Sequence, residues 1–141
     1  MQYRKFGGKY FVRIDKGEEV ISQLKILCEK ENIKLAEVRA LGATNDYTVS
    51  VFDVKAGKYK ADHHTEYAEI TSLWGTVTTM NGEFYAHIHM TAGAADGKVY
   101  GGHLSEVKIS ATCEMIVEPS EGIIERKFND EVGLNLFEFI D

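Results

Sequence analysis

Apolar and polar residues alternate along most of the chain, and this pattern predicts β-strands because successive strand side chains face opposite ways. The alternating stretches cover 9–14, 33–41, 47–54, 66–80, 83–91, 98–104 and 108–117, and two extended segments, 123–128 and 134–140, follow Pro119. The polar stretch 55–62 interrupts this pattern and is predicted to be a connection.

One segment has helical rather than alternating spacing, and its apolar positions are Val20, Leu24, Leu27 and Cys28. We predict a helix that ends near Glu31, with this apolar stripe packed on the sheet. Asp15 or Gly17 is the expected N-terminal cap, and Asn32 is the expected C-terminal cap. Together these elements predict an α+β protein with one main helix and a largely antiparallel β-sheet, arranged as a sandwich or an open barrel.

Two turn signals connect three consecutive strands of this predicted sheet. Asn81-Gly82 is typical of a type I′ turn between the strands 66–80 and 83–91. The run 94–97, Ala-Ala-Asp-Gly, predicts a second hairpin centred near Asp96.

Three of the five histidines lie on the strands of this second hairpin. His87 and His89 face the same side of one strand, about 7 Å apart. A hairpin centred near Asp96 places His103 roughly opposite His89, with Cβ atoms about 4.5–5.5 Å apart. Glycines 101 and 102, just before His103, leave room beside this point.

Three neutral imidazoles with one open position are the ligand set of a catalytic-type zinc site, and they also suit copper, nickel or iron. Zn²⁺ is thus a candidate cofactor at His87, His89 and His103. The alternative is that these histidines are hydrogen-bonded, metal-free residues of the core or of a subunit interface.

Other polar residues are weaker candidates for chemistry. His63 and His64 are adjacent, so they point apart in a strand, and we predict that both are surface residues. A bound metal could activate water or polarise a carbonyl, with Glu69, Glu106 or Glu114 as the acid-base group. Each of these carboxylates could equally be solvated or ion-paired.

Composition limits the class of protein. The 141 residues predict one domain spanning 1–141, and the formal net charge of −6 argues against strong DNA binding, which depends on Lys and Arg. A local basic patch is still compatible with that charge. No apolar run approaches a membrane span of about 20 residues. The N-terminus does not resemble a signal peptide, and two separated cysteines form no disulfide framework, so a cytoplasmic protein is expected.

Several motifs occur in the order in which they appear in the plants-and-prokaryotes conserved (PPC) domain family, and the chain resembles a stand-alone prokaryotic member of it. The resemblance covers almost the whole chain. The matching landmarks are Arg13-x-x-x-Gly17-Glu18, Ala40-Leu41-Gly42-Ala43, Glu69-Ile70-Thr71-Ser72-Leu73-Trp74-Gly75, His87-Ile88-His89, Gly101-Gly102-His103-Leu104, Arg126-Lys127-Phe128 and Gly133-Leu134-Asn135-Leu136.

The resemblance implies a homotrimer with a predominantly antiparallel sheet and one main helix. It also implies a metal, usually zinc, on the histidines that correspond to His87, His89 and His103. In plant members an AT-hook supplies the DNA contact, and this sequence has no Arg-Gly-Arg-Pro hook. The fold is similar to that of acetolactate decarboxylase, a three-histidine zinc enzyme.

Three functions follow as hypotheses. The first is a trimeric, metal-binding PPC-domain protein with a regulatory role, with a small-molecule ligand at the metal and a DNA-binding label by family resemblance. The second is a zinc-dependent enzyme, a lyase or hydrolase, acting on a small carbonyl or carboxylate compound. The third is a DNA binder that tolerates many sequences.

Overall fold

The computed structural model describes residues 1–140, which contain one helix and nine strands. In chain order these are β1 (Gln2–Phe6), β2 (Lys9–Asp15), α1 (Val20–Lys30), β3 (Ala36–Asp53), β4 (Lys58–His64), β5 (Ala68–Met80), β6 (Glu83–Ala94), β7 (Val99–Pro119), β8 (Ile124–Asn129) and β9 (Leu134–Phe139). Within the same residues, the helix is too short and too polar to cross a lipid bilayer.

All nine strands of the described chain belong to one sheet, in the order β1-β2-β7-β3-β5-β8-β9, with β4 paired to β3 and β6 paired to β5 and β7. Because β3 and β6 each pair with both β5 and β7, these four strands form a closed ring. The pairings are antiparallel except for a single parallel bridge between Thr79 of β5 and Glu125 of β8. The prediction of a largely antiparallel α+β fold is therefore confirmed.

Two of the strands are longer than the alternation predicts. β3 joins the predicted strands 33–41 and 47–54, and β7 joins 98–104 and 108–117. The pairing register of β3 with β7 shifts between Gly42 and Thr44 and again further along. Such bulges disturb the alternation of side chains without ending the strand, which is why the sequence pattern divides each strand into two.

The sequence pattern also missed two strands. Strand β4 (Lys58–His64) begins inside the stretch 55–62 that was predicted to be a connection and pairs with β3, and the N-terminal residues form β1. Almost every side chain of these two strands is exposed or half-buried. Both strands lie at the edge of the sheet, where no buried face imposes an apolar alternation.

The helix begins at a different cap from the predicted Asp15 or Gly17. The carboxylate of Glu19 accepts hydrogen bonds from the backbone N–H groups of Ile21 and Ser22, at 3.0 and 2.7 Å. Asp15 instead pairs with Arg13 at 2.7 Å. At the other end, Asn32 adopts φ 54°, a left-handed conformation typical of the residue after a helix.

The hydrophobic core determines which way the side chains of β6 and β7 face. The apolar stripe of α1 is buried and packs near β6 and β7. Ile88 and Met90 of β6 are 1% and 2% exposed, and Leu104 of β7 is 3% exposed. Burying one such side chain stabilises the fold by roughly 1.5–3 kcal/mol, so the core fixes the register of these strands. His87, His89 and His103 alternate with them and therefore face away from this core.

Gly75 of β5 lies so close to the backbone of β6 that a side chain would not fit there. A Cβ atom at Gly75 would lie 2.2 Å from the carbonyl oxygen of His87 and 2.6 Å from Cα of Ile88. The hairpin between these two strands has the predicted type I′ turn, since Asn81 and Gly82 have φ values of 54° and 78°.

Gly75→Ala is expected to lower the free energy of unfolding by roughly 1–3 kcal/mol, because the added methyl group overpacks against the backbone of β6. Urea unfolding measures this change. Gly93→Ala is the matched control, since its Cβ would lie at an ordinary 3.5 Å from Thr71, and we expect a change within about 0.5 kcal/mol. Equal stability of the two variants would contradict the close approach at Gly75.

Candidate metal centre

The second predicted hairpin is present, and it pairs two of the three histidines. The strands β6 and β7 pair from His89 opposite His103 to Gly93 opposite Val99, so the hairpin is centred at Asp96. The turn is closed by a hydrogen bond from the N–H of Ala94 to the carbonyl of Lys98, at 2.9 Å. The predicted pairing of His89 opposite His103 is confirmed.

The three imidazoles of His87, His89 and His103 lie together. Their ring centroids are 5.2 Å apart for His87 and His89, 5.3 Å for His87 and His103, and 5.7 Å for His89 and His103. One nitrogen of each ring lies within 4.8 Å of a nitrogen of the other two. Three nitrogens bound to one tetrahedral zinc ion lie roughly 3.3 Å apart, so the three rings must move closer together to share an ion.

The electrostatic environment keeps two of these rings neutral. Burial, and after it the electrostatic effect of Arg126, His103 and His89, together lower the pKa of His87 to about 4. Burial, together with His89, also lowers the pKa of His103. The neutral imidazole is the form that binds a metal, so these two rings need not lose a proton at pH 7.

A polar atom without a partner also fits a ligand at this position. Nδ1 of His103 is buried and has no hydrogen-bond partner within residues 1–140. Buried polar atoms are rarely left without a partner, since the loss of hydration is costly. A metal ion, or a hydrogen-bonding group of a bound ligand, would give this nitrogen the partner that it lacks.

A cleft of about 300 Å³ opens beside the histidines, and we call it the histidine cleft. It is lined by Tyr59, Tyr85, His87, His103, Arg126, Leu134, Asn135, Leu136 and Phe137. The ring of Tyr59 lies 4.9 Å from that of His103, and burial raises the pKa of the Tyr59 phenol. The arrangement can therefore hold a small molecule against the histidine trio.

Sequence reasoning missed the polar residues that complete this cleft. Tyr85 lies two residues before His87, so strand alternation already places the two on one face. Tyr59 lies on an edge strand that was predicted to be a loop. Arg126 and Asn135 come from the C-terminal strands, and no pattern in the sequence brings them to β6.

The paired glycines before His103 serve close packing of strands. A Cβ atom at Gly101 would lie 2.7 Å from the carbonyl oxygen of Met90, and one at Gly102 would lie 2.5 Å from that of Ser50. The space left by the missing side chains of these two glycines is thus filled by the backbones of β6 and β3. This close packing keeps His103 near both strands.

The two adjacent histidines separate, as predicted, but only one is at the surface. The side chain of His63 is 54% exposed, and its Nε2 lies 2.9 Å from Oδ1 of Asp46. The side chain of His64 is 11% exposed, and its ring lies 4.9 Å from that of Tyr47 and 4.1 Å from that of Tyr100. The surface prediction is wrong for His64, because the edge strand β4 turns it inward between two aromatic rings.

The three acids considered for acid-base chemistry lie apart from the histidine trio. Glu69, Glu106 and Glu114 are all exposed, and Glu106 accepts a hydrogen bond from the Thr48 hydroxyl at 3.2 Å. Among residues 1–140, these acids neither line the histidine cleft nor join the cluster of potential metal ligands.

Comparisons with known proteins agree with this fold. The model of the Plants and Prokaryotes Conserved (PCC) domain matches residues 1–121. A search of curated proteins finds no match. A structure from Bacteroides thetaiotaomicron, described as a candidate DNA-binding protein, is 31% identical with a TM-score of 0.94, covering 98% of this chain and 96% of that one.

Two archaeal structures are about equally similar in sequence. A metal-containing protein from Archaeoglobus fulgidus is 30% identical with a TM-score of 0.89, covering 99% of both chains. A plant- and prokaryote-conserved protein from Pyrococcus horikoshii is 30% identical with a TM-score of 0.86, covering 99% of this chain and 96% of that one. Acetolactate decarboxylase from Bacillus subtilis, at 12% identity and a TM-score of 0.56 over 82% of this chain and 54% of that one, shares the fold alone.

The imidazole of His87 is expected to titrate near pH 4 in chelator-treated protein, because burial and neighbouring cations disfavour its charged form. Histidine proton NMR measures the midpoint, and His87→Gln assigns the resonance. The unfolded chain binds this proton below about pH 6.5. Stability contributed by neutral His87 is therefore present above pH 6.5 and is lost as the pH falls towards 4. A midpoint at or above 6.5 would contradict the burial of this ring.

Proposed function

The chain belongs to the Plants and Prokaryotes Conserved domain family, and on that premise we propose that it is a single-domain, metal-binding protein of the cytoplasm with a regulatory role. His87, His89 and His103 hold a zinc ion and leave one coordination position open to a small molecule. The observation that carries this proposal is the convergence of three imidazole nitrogens within 4.8 Å of one another. The metal-containing relative from Archaeoglobus fulgidus supports it.

The residues fit a site that accepts a ligand. Zinc bound by three histidines supplies a Lewis acid with an exchangeable fourth position. His87 and His103 offer neutral nitrogens from a partly buried wall, while His89 lies on the exposed side. The histidine cleft beside them is large enough for a small molecule.

We propose a homotrimer, the assembly that the family resemblance implies, and the large apolar side chains exposed on two faces of the single chain support contacts between subunits. A groove of about 750 Å³ on β1, β2, β7 and β3 is lined in part by Phe6, Phe11 and Leu41, which are 63%, 46% and 58% exposed. Phe139 at the C-terminal end of the sheet is 73% exposed. Contiguous exposed apolar surface of this kind is typical of subunit interfaces, and further copies of the chain are its proposed occupants.

Protein purified without a chelator or a His-tag is expected to give the mass of three chains with one metal ion per chain. Native mass spectrometry reads the subunit count, and elemental analysis of the same sample identifies the metal. His87→Ala and His103→Ala are expected to lose the metal, because two imidazoles bind it much more weakly than three.

His63→Ala is the matched control for these variants, since His63 is exposed and lies outside the trio. It is expected to retain one metal ion per chain. Full metal content in His87→Ala or His103→Ala would contradict the proposed ligand set, and a monomer or dimer would contradict the proposed assembly.

The alternative is a zinc-dependent enzyme, a lyase or hydrolase, acting on a small carbonyl or carboxylate compound. Such an enzyme needs a group that can move a proton within hydrogen-bond reach of the substrate. In the described part of the chain, no Asp or Glu lines the histidine cleft. The hydroxyl groups that line it are the phenols of Tyr59 and Tyr85. This lining favours ligand binding over acid-base catalysis.

DNA binding is the third candidate function, and the description of the Bacteroides relative favours it. We expect no retardation of an AT-rich duplex by the metal-loaded protein at about 50 mM salt, because the formal net charge of −6 opposes the phosphate backbone. Electrophoretic mobility shift measures this. Retardation that weakens steeply with salt, at roughly −0.9 in the logarithmic slope per phosphate contact, would establish DNA binding instead.

A further inference from the structure

Arg126 of β8 is a buried cation that no acid neutralises among residues 1–140. It is 7% exposed, and no Asp or Glu of that range forms an ion pair with it. Its guanidinium lies over the rings of Tyr85 and Phe137, at 5.0 and 4.3 Å from their centroids. Burial lowers its pKa, but an arginine remains charged.

The hydrogen bonds of Arg126 use only part of its donor capacity. Nε donates to the Thr78 hydroxyl at 3.1 Å, Nη1 to the Asn135 carbonyl at 3.1 Å, and Nη2 to the Thr76 hydroxyl at 3.3 Å. A guanidinium has five N–H groups, and all three of these partners are uncharged. The positive charge and two N–H groups are thus left for another partner.

An uncompensated buried charge is costly, and its usual remedy is an anion. The guanidinium and the histidine trio share the histidine cleft, since Arg126, His87 and His103 all line it. The guanidinium therefore lies in the same cleft as two of the three imidazoles.

We propose that Arg126 binds the carboxylate of a small organic acid, whose neighbouring oxygen reaches the metal held by the histidine trio. This proposal rests on the proposed metal site and assigns the chemical class of its ligand. The planar guanidinium fork matches the two oxygens of a carboxylate. The rings of Tyr85 and Phe137, which pack against the guanidinium, hold it in place. The cleft of about 300 Å³ admits only a small acid.

Arg126 also joins β8 to β5 and β9 through these hydrogen bonds, so a purely structural role must be distinguished. A structural arginine would change stability when replaced but would not change ligand affinity at the metal. The test therefore measures ligand binding at the metal itself. It also compares two ligands on the unaltered protein, a comparison that does not depend on any variant.

Cobalt(II) replaces zinc in the intact oligomer, and its visible absorption bands report the coordination sphere. Lactate, which carries a hydroxyl beside its carboxylate, is expected to shift these bands in a saturable way, whereas its neutral amide, lactamide, is expected to bind at least tenfold more weakly. Arg126→Gln is expected to weaken lactate binding roughly ten- to hundredfold, the effect of losing charge-assisted hydrogen bonds. Arg126→Lys retains the positive charge but lacks the planar guanidinium fork. Its lactate affinity is expected to lie between that of the unaltered protein and that of Arg126→Gln.

Lys25→Gln is the matched control, because Lys25 is exposed on α1, pairs with Glu29 and lies outside the histidine cleft, and lactate affinity is expected to be unchanged in it. Equal lactate and lactamide affinity, or unchanged lactate affinity in Arg126→Gln with intact cobalt bands, would overturn the carboxylate assignment and leave the metal site standing. Phosphate that binds as tightly as lactate, with the same dependence on Arg126, would also overturn it in favour of a general oxyanion site. Absence of cobalt bands in the unaltered protein would overturn the metal site and this proposal together.

Discussion

The candidate metal centre depends on which face of β6 is buried. Ile88 and Met90 are almost fully buried in the core, and the strand alternation then places His87 and His89 on the opposite face. A shift of one residue would exchange the two faces, with the loss of several kcal/mol of apolar burial. The type I′ turn before β6 and the hairpin after it hold this register from both ends. The histidine geometry is thus a consequence of core packing.

The same packing creates an unusual electrostatic site on the other side of the sheet. Two half-buried imidazoles are held neutral, and a buried guanidinium lies in the cleft that they line. Within residues 1–140 no carboxylate enters that cleft. Neutral imidazoles favour a metal cation, and the guanidinium favours an anion, so a ligand that is bound to the metal through an anionic group satisfies both. This is the physical basis for proposing ligand binding at the site.

Alternation and turn chemistry were sufficient to predict the central part of this fold. The pairing of His89 with His103 follows from the position of the turn near Asp96, because a hairpin is a local structure. The edge strands β1 and β4 could not be predicted, since their exposed side chains carry no apolar pattern. The role of Arg126 was missed for a different reason. It reaches the cleft through pairing of distant strands, and short-range patterns do not specify such contacts.

The central claim is that His87, His89 and His103 share one metal ion. Anomalous X-ray diffraction above and below the zinc absorption edge, from crystals grown without a chelator, tests this claim most directly. We expect one anomalous peak per chain, about 2.0–2.1 Å from a nitrogen of each of the three imidazoles, with the fourth position taken by water or a small molecule. A zinc-loaded crystal with no peak between these rings, or a fourth protein ligand closing the site, would contradict the account.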